Sequence, residues 1–317
     1  MANEKKVIVI TGPTASGKTA LGVELSLRLG GEVISADSMQ IYKGMDIGTA
    51  KVKYEEMKGI RHHMTDVASP DEDYSVSRWV SEAAQACEDV FSRGRIPVIV
   101  GGTGLYIDSL LSGRDFSERE ESGETRASLN ALYDKIGGEA FRKRLIEVDP
   151  ERGEKLAPAD KKRLVRALEV YTLTGKTITE HDAETKLLPP RYDSLRFALS
   201  FRERTKLYER IDRRVDIMMS EGLVKEVEGL LEKGLRPERS AFQAIGYKEI
   251  LEYLNGKCSL QEAVEEIKRG SRRYAKRQLT WIRRDSGIHW ILWDDSPDID
   301  AAASMAARLW EEERYDR

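Results

Sequence analysis

Val7-Ile8-Val9-Ile10-Thr11-Gly12-Pro13-Thr14-Ala15-Ser16-Gly17-Lys18-Thr19 is the stretch that decides the fold. The unbroken apolar run Val7 to Ile10 predicts a strand buried on both faces. Thr14 to Leu29, with Leu21, Leu25 and Leu29 four residues apart, predicts the helix that follows. Between them Gly12 to Thr19 matches G-x-x-x-x-G-K-[ST] in the strand-loop-helix context that a phosphate-binding loop requires. Glycines let backbone N–H groups close on phosphate oxygens at a helix N-terminus. Lys18 adds a charge, and the Thr19 hydroxyl can ligate Mg²⁺. A glycine-rich turn with an incidental lysine is the plainer alternative, and the flanking elements argue against it.

Working outward, Glu32 to Ser35 predicts a second strand, Ser77 to Phe91 a helix and Ile96 to Val100 a third strand. Strands alternating with helices imply a parallel sheet covered on both faces. After Leu111 the sequence turns charged and helix-rich, over Thr125 to Ile136, Gly138 to Val148 and Asp160 to Leu173. In the last of these Leu164, Val165, Leu168 and Tyr171 share one face. The Pro189-Pro190 pair breaks this region, and Leu195 to Phe201, Thr205 to Gly222 and Ile288 to Trp293 resume as strand, helix and strand. The prediction is an α/β fold, a P-loop NTPase-like parallel sheet flanked by helices. Residues 1–114 and 193–317 form the core domain, and 115–192 a helical insertion domain.

A chain of 317 residues has room for such a core plus an insertion. With 40% hydrophobic and 34% charged residues it has an ordinary globular composition. No apolar run approaches the roughly 20 residues of a membrane span. Cys87 and Cys258 stand apart and outside any ligand motif, which argues against a disulfide framework and against zinc. A cytoplasmic location and no membrane association are the expectation. The net charge of −3 is uninformative, but its distribution is not: Lys268 to Arg284 holds eight basic residues and no acid.

Asp37, Ser38 and Thr103 follow the second and third strands and should converge with the phosphate loop at the carboxyl ends of a parallel sheet. Asp37 in that position suits a general base, with an Asp that caps a turn or helix in Ala36-Asp37-Ser38 as the lesser alternative. A nucleotide hydrolase would end another apolar strand in an acid, whereas Ile96 to Val100 runs into Gly101-Gly102-Thr103-Gly104. ATP hydrolysis is disfavoured, with Asp66 the alternative acid. Arg269, Arg272, Arg273, Lys276 and Arg277 fall on one helical face, either a solvated surface or a strip that tracks an RNA backbone. Arg163 with Arg166, and Arg210 with Arg213 and Arg214, cluster similarly, with Glu169, Glu209 and Asp212 as ready partners. His62-His63 lacks a third ligand and reads as structural.

The set Gly12 to Thr19, Asp37-Ser38-Met39-Gln40-Ile41-Tyr42, Gly101-Gly102-Thr103-Gly104-Leu105-Tyr106, Arg163 to Glu169, Ile245-Gly246-Tyr247-Lys248-Glu249 and Lys276-Arg277-Gln278-Leu279-Thr280-Trp281 closely resembles the bacterial tRNA dimethylallyltransferase family over nearly the whole chain. The resemblance implies transfer of a dimethylallyl group from dimethylallyl diphosphate to the N6 amino group of the adenosine immediately 3′ of the anticodon. It implies that Gly12, Pro13, Thr14, Ala15, Ser16, Gly17, Lys18 and Thr19 hold the diphosphate with Mg²⁺ at Thr19. Asp37 is then the general base, Thr103 positions the adenine, and Arg210 assists at the diphosphate, with Arg213 and Arg214 as alternatives. The tRNA contacts it implies are Asp37, Ser38, Met39, Gln40, Thr103, Arg126, Lys161, Lys162, Arg163, Leu164, Val165, Gln243, Gly246, Lys248, Lys276, Arg277, Gln278, Trp281 and Arg283. A monomer that flips the target base out of the anticodon loop completes the expectation. The nearest rival, a transferase acting on free adenine nucleotides, needs neither the basic strip nor the insertion.

Overall fold

The computed structural model describes residues 5–113 and 123–315. The described chain divides into two compact units, one of Met1–Leu111 with Tyr192–Arg317, the other Ser112–Arg191. The domain boundary expected at 114/115 lies outside the described residues.

In the first unit β1 (Lys6–Thr11), α1 (Lys18–Leu29), β2 (Gly31–Ser35), β3 (His62–His63), α2 (Val76–Ser92), β4 (Ile96–Gly101) and α3 (Gly104–Leu111) come before the second unit. The chain returns with β5 (Asp193–Phe201). All strands pair in parallel in the order β3-β2-β4-β1-β5-β6, where β6 is His289–Trp293. Val7 to Ile10 are at most 1% exposed, as befits a central strand buried on both faces. Because β4 separates β1 from β2 and β5 lies on β1's other side, the strand order reverses at β1. Its carboxyl end is therefore where such a sheet opens a crevice for ligands.

Among its described residues the second unit holds helices and no strand: α4 (Gly123–Ile136), α5 (Gly138–Val148), α6 (Pro150–Lys155), α7 (Lys161–Thr174) and α8 (Ile178–Leu187). Its core is Phe141, Leu145, Leu156, Leu164, Val165, Ala167 and Leu168. Thr177 and Glu180 close α8 with a reciprocal capping box. Tyr171, expected on the apolar face of α7, is 37% exposed instead, directly after the buried Val170.

After β5 follow α9 (Arg204–Glu221), α10 (Leu223–Glu232), α11 (Tyr247–Leu254) and α12 (Leu260–Ile282), then β6 and α13 (Ile299–Tyr315). Ala302, Ala303, Ala306 and Trp310 of α13 join the core with Leu21 and Leu25 of α1. Among the described residues no helix is long and apolar enough to cross a membrane.

The helix expected from Thr14 begins only at Lys18. Ala15 (φ 64°) and Gly17 (φ 94°) lie in the left-handed region, which a right-handed helix cannot accommodate, so residues 14–17 stay in the loop. The strands β2 and β4 meet so closely that a Cβ on Gly101 would stand 2.2 Å from the Ala36 carbonyl oxygen. Gly101→Ala should therefore force the two strand ends apart and cost about 1–3 kcal/mol of stability in urea unfolding. An unchanged midpoint would show that the approach is not tight.

Candidate active site

At the carboxyl end of β1 the chain wraps Gly12 to Gly17 into a loop held from several directions. The Lys18 Nζ donates back to the Pro13 carbonyl at 2.7 Å, Trp293 Nε1 of β6 donates to the Ser16 carbonyl at 2.9 Å, and Arg210 Nε of α9 donates to the Ala15 carbonyl at 3.2 Å. A side chain at Gly12 would collide with the Leu199 carbonyl of β5 at 2.5 Å, so only glycine lets the loop leave β1 there. The loop faces a cavity of about 1120 Å³ whose walls include Lys18, Thr19, Lys51, Arg210, Arg213 and Arg214.

This cavity is built for an anion. Burial, with the nearby Arg214 charge, pulls the Lys18 ammonium down to about 7, against the opposing pull of Asp37. Burial likewise lowers Arg214, again opposed by Asp37, and lowers Arg210 with help from Arg213. Cations crowded out of water in this way gain most from a polyanionic partner. Asp66, the alternative acid of a hydrolase, is tied up: the nearly buried Lys51 Nζ reaches it at 2.5 Å, Asp46 at 2.7 Å and the Tyr42 carbonyl at 2.6 Å.

Asp37 and Thr103 are not among the residues lining this cavity. The Asp37 charge acts on Lys18 and Arg214 of the cavity and on Tyr106 and Tyr274 behind it. Its Oδ1 accepts from the backbone N–H of Met39 at 2.9 Å and of Gln40 at 3.4 Å, so the turn-capping role is real and leaves Oδ2 for another partner. Thr103 Oγ1 accepts from the Ser38 N–H at 3.1 Å, joining the β2 and β4 loops. The Tyr274 hydroxyl touches Thr103 and Gln278, and burial pushes it up to about 12. The phosphate loop and the arginines of α9 thus share the cavity, Asp37 reaches it through its field, and Thr103 meets the loop of Asp37 at Ser38.

The residues expected at RNA are more varied. Ser38 and Met39 are half-buried, and Gln40 Nε2 is spent on the Thr49 and Ala50 carbonyls. On α12 the strip is not uniformly free: Arg269 and Arg273 share Glu266, and Arg272 is bonded to Asp212 of α9. Lys276, Arg277 and Arg283 are exposed, with the Arg277 guanidinium 5.5 Å from the centre of the Tyr274 ring. Trp281 Nε1 donates to Asp108 at 2.8 Å. Gln278 is only 5% exposed and has both ends of its amide bonded inside the protein. Gln243 and Lys248 are exposed, while Gly246 is buried at the start of α11 with φ 103°.

Within the helical unit Lys162 and Arg163 are exposed, Arg163 near Asp160, and Lys161 pairs with Asp134 at 2.6 Å. Arg126 bonds Glu169 at 2.9 and 3.1 Å, and Arg166 bonds the same fully buried carboxylate at 2.7 Å. Leu164 (0% exposed) and Val165 (3%) correct the expectation: their side chains belong to the hydrophobic core and offer nothing to RNA. His63 meets the buried Glu32 at 2.6 Å in β3, a structural pair as expected.

Sequence patterns did not disclose Glu226. Its carboxylate accepts from the backbone N–H of Asp46 (2.9 Å), Ile47 (2.8 Å) and Gly48 (3.1 Å) and from the Tyr247 hydroxyl (2.5 Å), which anchors one wall of the cavity to α10 and α11. A lone Glu in an amphipathic helix carries no signal of that kind.

A family model described as IPP transferase matches residues 40–285, and one described as isopentenyl transferase matches residues 5–69. A tRNA dimethylallyltransferase of Caldanaerobacter subterraneus subsp. tengcongensis is 48% identical over 291 residues, 92% of each chain. The structure of the tRNA isopentenylpyrophosphate transferase from Bacillus halodurans superposes with a TM-score of 0.73 at 39% identity, covering 99% of both chains. A eukaryotic dimethylallyltransferase acting on tRNA gives 0.83 at 34% identity, over 96% of this chain and 77% of that one.

An anion in the cavity favours protonated Lys18, so its binding should take up a proton once the pH exceeds about 7, and affinity should fall as pH rises through that value. Calorimetry of inorganic diphosphate binding at pH 8 in buffers of different ionisation enthalpy measures the uptake. No uptake in the wild type, or the same uptake in Lys18→Met, would exclude Lys18 as the titrating group.

Proposed function

This chain belongs to the IPP transferase family, and on that footing we propose that it moves the dimethylallyl group of dimethylallyl diphosphate onto the N6 amino group of the adenosine immediately 3′ of a tRNA anticodon. The observation that carries this reading is the junction of two sites at Asp37: a cationic cavity suited to a diphosphate on one side, and the Thr103 loop with the cationic helix α12 on the other. A hydrolase acid is missing from the strand end that would bear it, since β4 runs into glycines.

In this scheme the diphosphate is held by the loop amides of residues 15–17, by Lys18, and by Arg210, whose guanidinium lies against the loop and over the Phe201 ring. The adenine amino group is a poor nucleophile, so catalysis rests on stabilising the charge that develops on the departing diphosphate. As N6 bonds to the allylic carbon, the carbon–oxygen bond to diphosphate breaks and its electron pair leaves with the diphosphate. Asp37, its Oδ1 steadied by two backbone N–H groups, takes the N6 proton through the other oxygen. The Thr103 hydroxyl orients the base.

The donor set also suits Mg²⁺. The Thr19 hydroxyl lines the cavity, and among the described residues no group of three or more acids, histidines or cysteines could hold a metal alone. One hydroxyl plus diphosphate oxygens fits a hard cation that keeps several waters and needs few protein ligands. When bound, it neutralises charge on the leaving group.

A base stacked in the anticodon loop is out of reach, and flipping it out toward Asp37 and Thr103 costs roughly a few kcal/mol. Contacts from Lys276, Arg277 and Arg283 of the α12 end offset that. The direct test is incubation with labelled dimethylallyl diphosphate and unmodified tRNA, where label must enter the RNA. Asp37→Ala should slow single-turnover transfer by about 10² to 10⁴ while donor and tRNA affinities stay near wild type. A wild-type rate removes Asp37 from the role of base.

The strip of α12 gives a second test. Each phosphate contact to single-stranded RNA contributes about 0.7 to the slope of log affinity against log salt. Replacing Lys276 and Arg277 together by Gln should flatten that slope by about 1.4, whereas Arg272→Gln, which loses only its Asp212 partner, should leave it unchanged. Equal effects, or none, would show that the strip does not meet phosphates as assigned.

A further inference from the structure

One face of α12 reads into the loop after β4 residue by residue. Tyr274, Gln278 and Trp281 follow one another at helical spacing, and each meets one member of Gly102-Thr103-Gly104. Tyr274 touches the Thr103 hydroxyl. The Trp281 ring fills the space beside Gly104, where a Cβ would come within 2.2 Å of it. The Gln278 amide nitrogen donates to the Gly102 carbonyl at 3.0 Å and occupies the place of a Gly102 side chain, 2.0 Å from where its Cβ would be.

Gln278 also does something its neighbours do not. Its Oε1 accepts the backbone N–H of Thr14 at 3.0 Å, inside the phosphate loop. A single buried amide thus ties together two loops that leave the sheet side by side, just beyond the paired Thr11 and Gly101, and it does so from the helix whose opposite face carries Lys276. We propose that Gln278 is a positioning residue that clamps the phosphate loop to the Thr103 loop, fixing the spacing between the diphosphate and the flipped base, and that it does not contact tRNA.

This rests on the transferase reading given above. The geometry favours the clamp over an RNA contact because both ends of the amide are engaged, and because a 5% exposed side chain has almost no surface left for a ligand. Without the clamp the two loops are each still supported, by Trp293 and Arg210 on one side and by Ser38 on the other, so the site stays built but loses its internal registration. Misplacement by about 1 Å between reacting groups costs about 10²-fold in rate.

Gln278→Met matches the shape and removes both hydrogen bonds. At saturating tRNA and donor its single-turnover transfer should fall by about 10²-fold, inorganic diphosphate should bind more weakly, and tRNA affinity with its salt slope should stay at the wild-type value. If Gln278→Met does not give a wild-type-like thermal transition, Gln278→Asn, which keeps the amide but draws it back from both loops, takes its place with the same readouts. Loss of tRNA affinity with an unchanged rate at saturation would make Gln278 an RNA contact and overturn the clamp. Unchanged rate and unchanged diphosphate affinity would overturn it as well. Should wild-type protein transfer no label to tRNA, the function is what fails; the clamp is then decided by diphosphate affinity alone, where equality of wild type and variant refutes it.

Discussion

The whole carboxyl edge of the sheet depends on side chains being absent at three places, the last residue of β4 and two just after it. At Gly101 the missing Cβ admits the Ala36 carbonyl, at Gly102 the amide of Gln278, and at Gly104 the ring of Trp281. Only such close backbone approach lets the β2 loop, the β4 loop and α12 meet within hydrogen-bond distance of one another. The Thr103 N–H donates to the Ala36 carbonyl at 3.2 Å, and its hydroxyl accepts from Ser38, so the one residue of the four with a side chain is held from both ends. A bulkier loop would separate Asp37 from Thr103 and the phosphate loop from both.

Charge organises what this packing assembles. Lys18, Arg210, Arg213 and Arg214 face one cavity, where burial together with repulsion from neighbouring cations disfavours the charged state of Lys18, Arg210 and Arg214. The nearby acid Asp66 is neutralised by Lys51, which leaves Asp37 as the carboxylate whose field favours the charged forms of both Lys18 and Arg214. Asp37 is thereby tied electrostatically to the donor site while its hydrogen bonds belong to the β2 loop. The same carboxylate that opposes the loss of charge on these two cations stands beside the Thr103 loop.

Much of this was legible in the sequence, for reasons that differ from element to element. The buried strands β1 and β4 and the loop Gly12 to Thr19 follow from unbroken apolar runs and from glycine spacing, which are local properties. Helices α5 and α7 follow from apolar periodicity. What was not legible depends on partners far along the chain. β3 is two histidines long and exists because Glu32 and the neighbouring strand pair with it. α13 is alanine-rich at the positions that pack on α1, and alanine carries little periodic signal. Leu164 and Val165 lie in a motif that opens on the exposed Arg163, and only packing separates the apolar members, which face the core, from it. Gln278 sits among cations and aromatic residues that suggest RNA, while its amide points the other way. Glu226 gains its role from three backbone N–H groups some 180 residues earlier, and no pattern in α10 announces it.

The ties on the phosphate loop have a consequence for how the chain comes together in time. Thr14 finds its acceptor 264 residues later, at Gln278, and the Ser16 carbonyl finds its donor 277 residues later, at Trp293. Closing such long loops is entropically costly, though the cost grows only slowly with length, and contacts of this separation form late. During synthesis the first strand, loop and helix emerge from the ribosome early, but the loop acquires its finished shape only once α12 and β6 have followed. A nascent or truncated chain that lacks β6 therefore carries the full nucleotide-loop signature without a settled site, and the last strand acts as a checkpoint on the competence of the first.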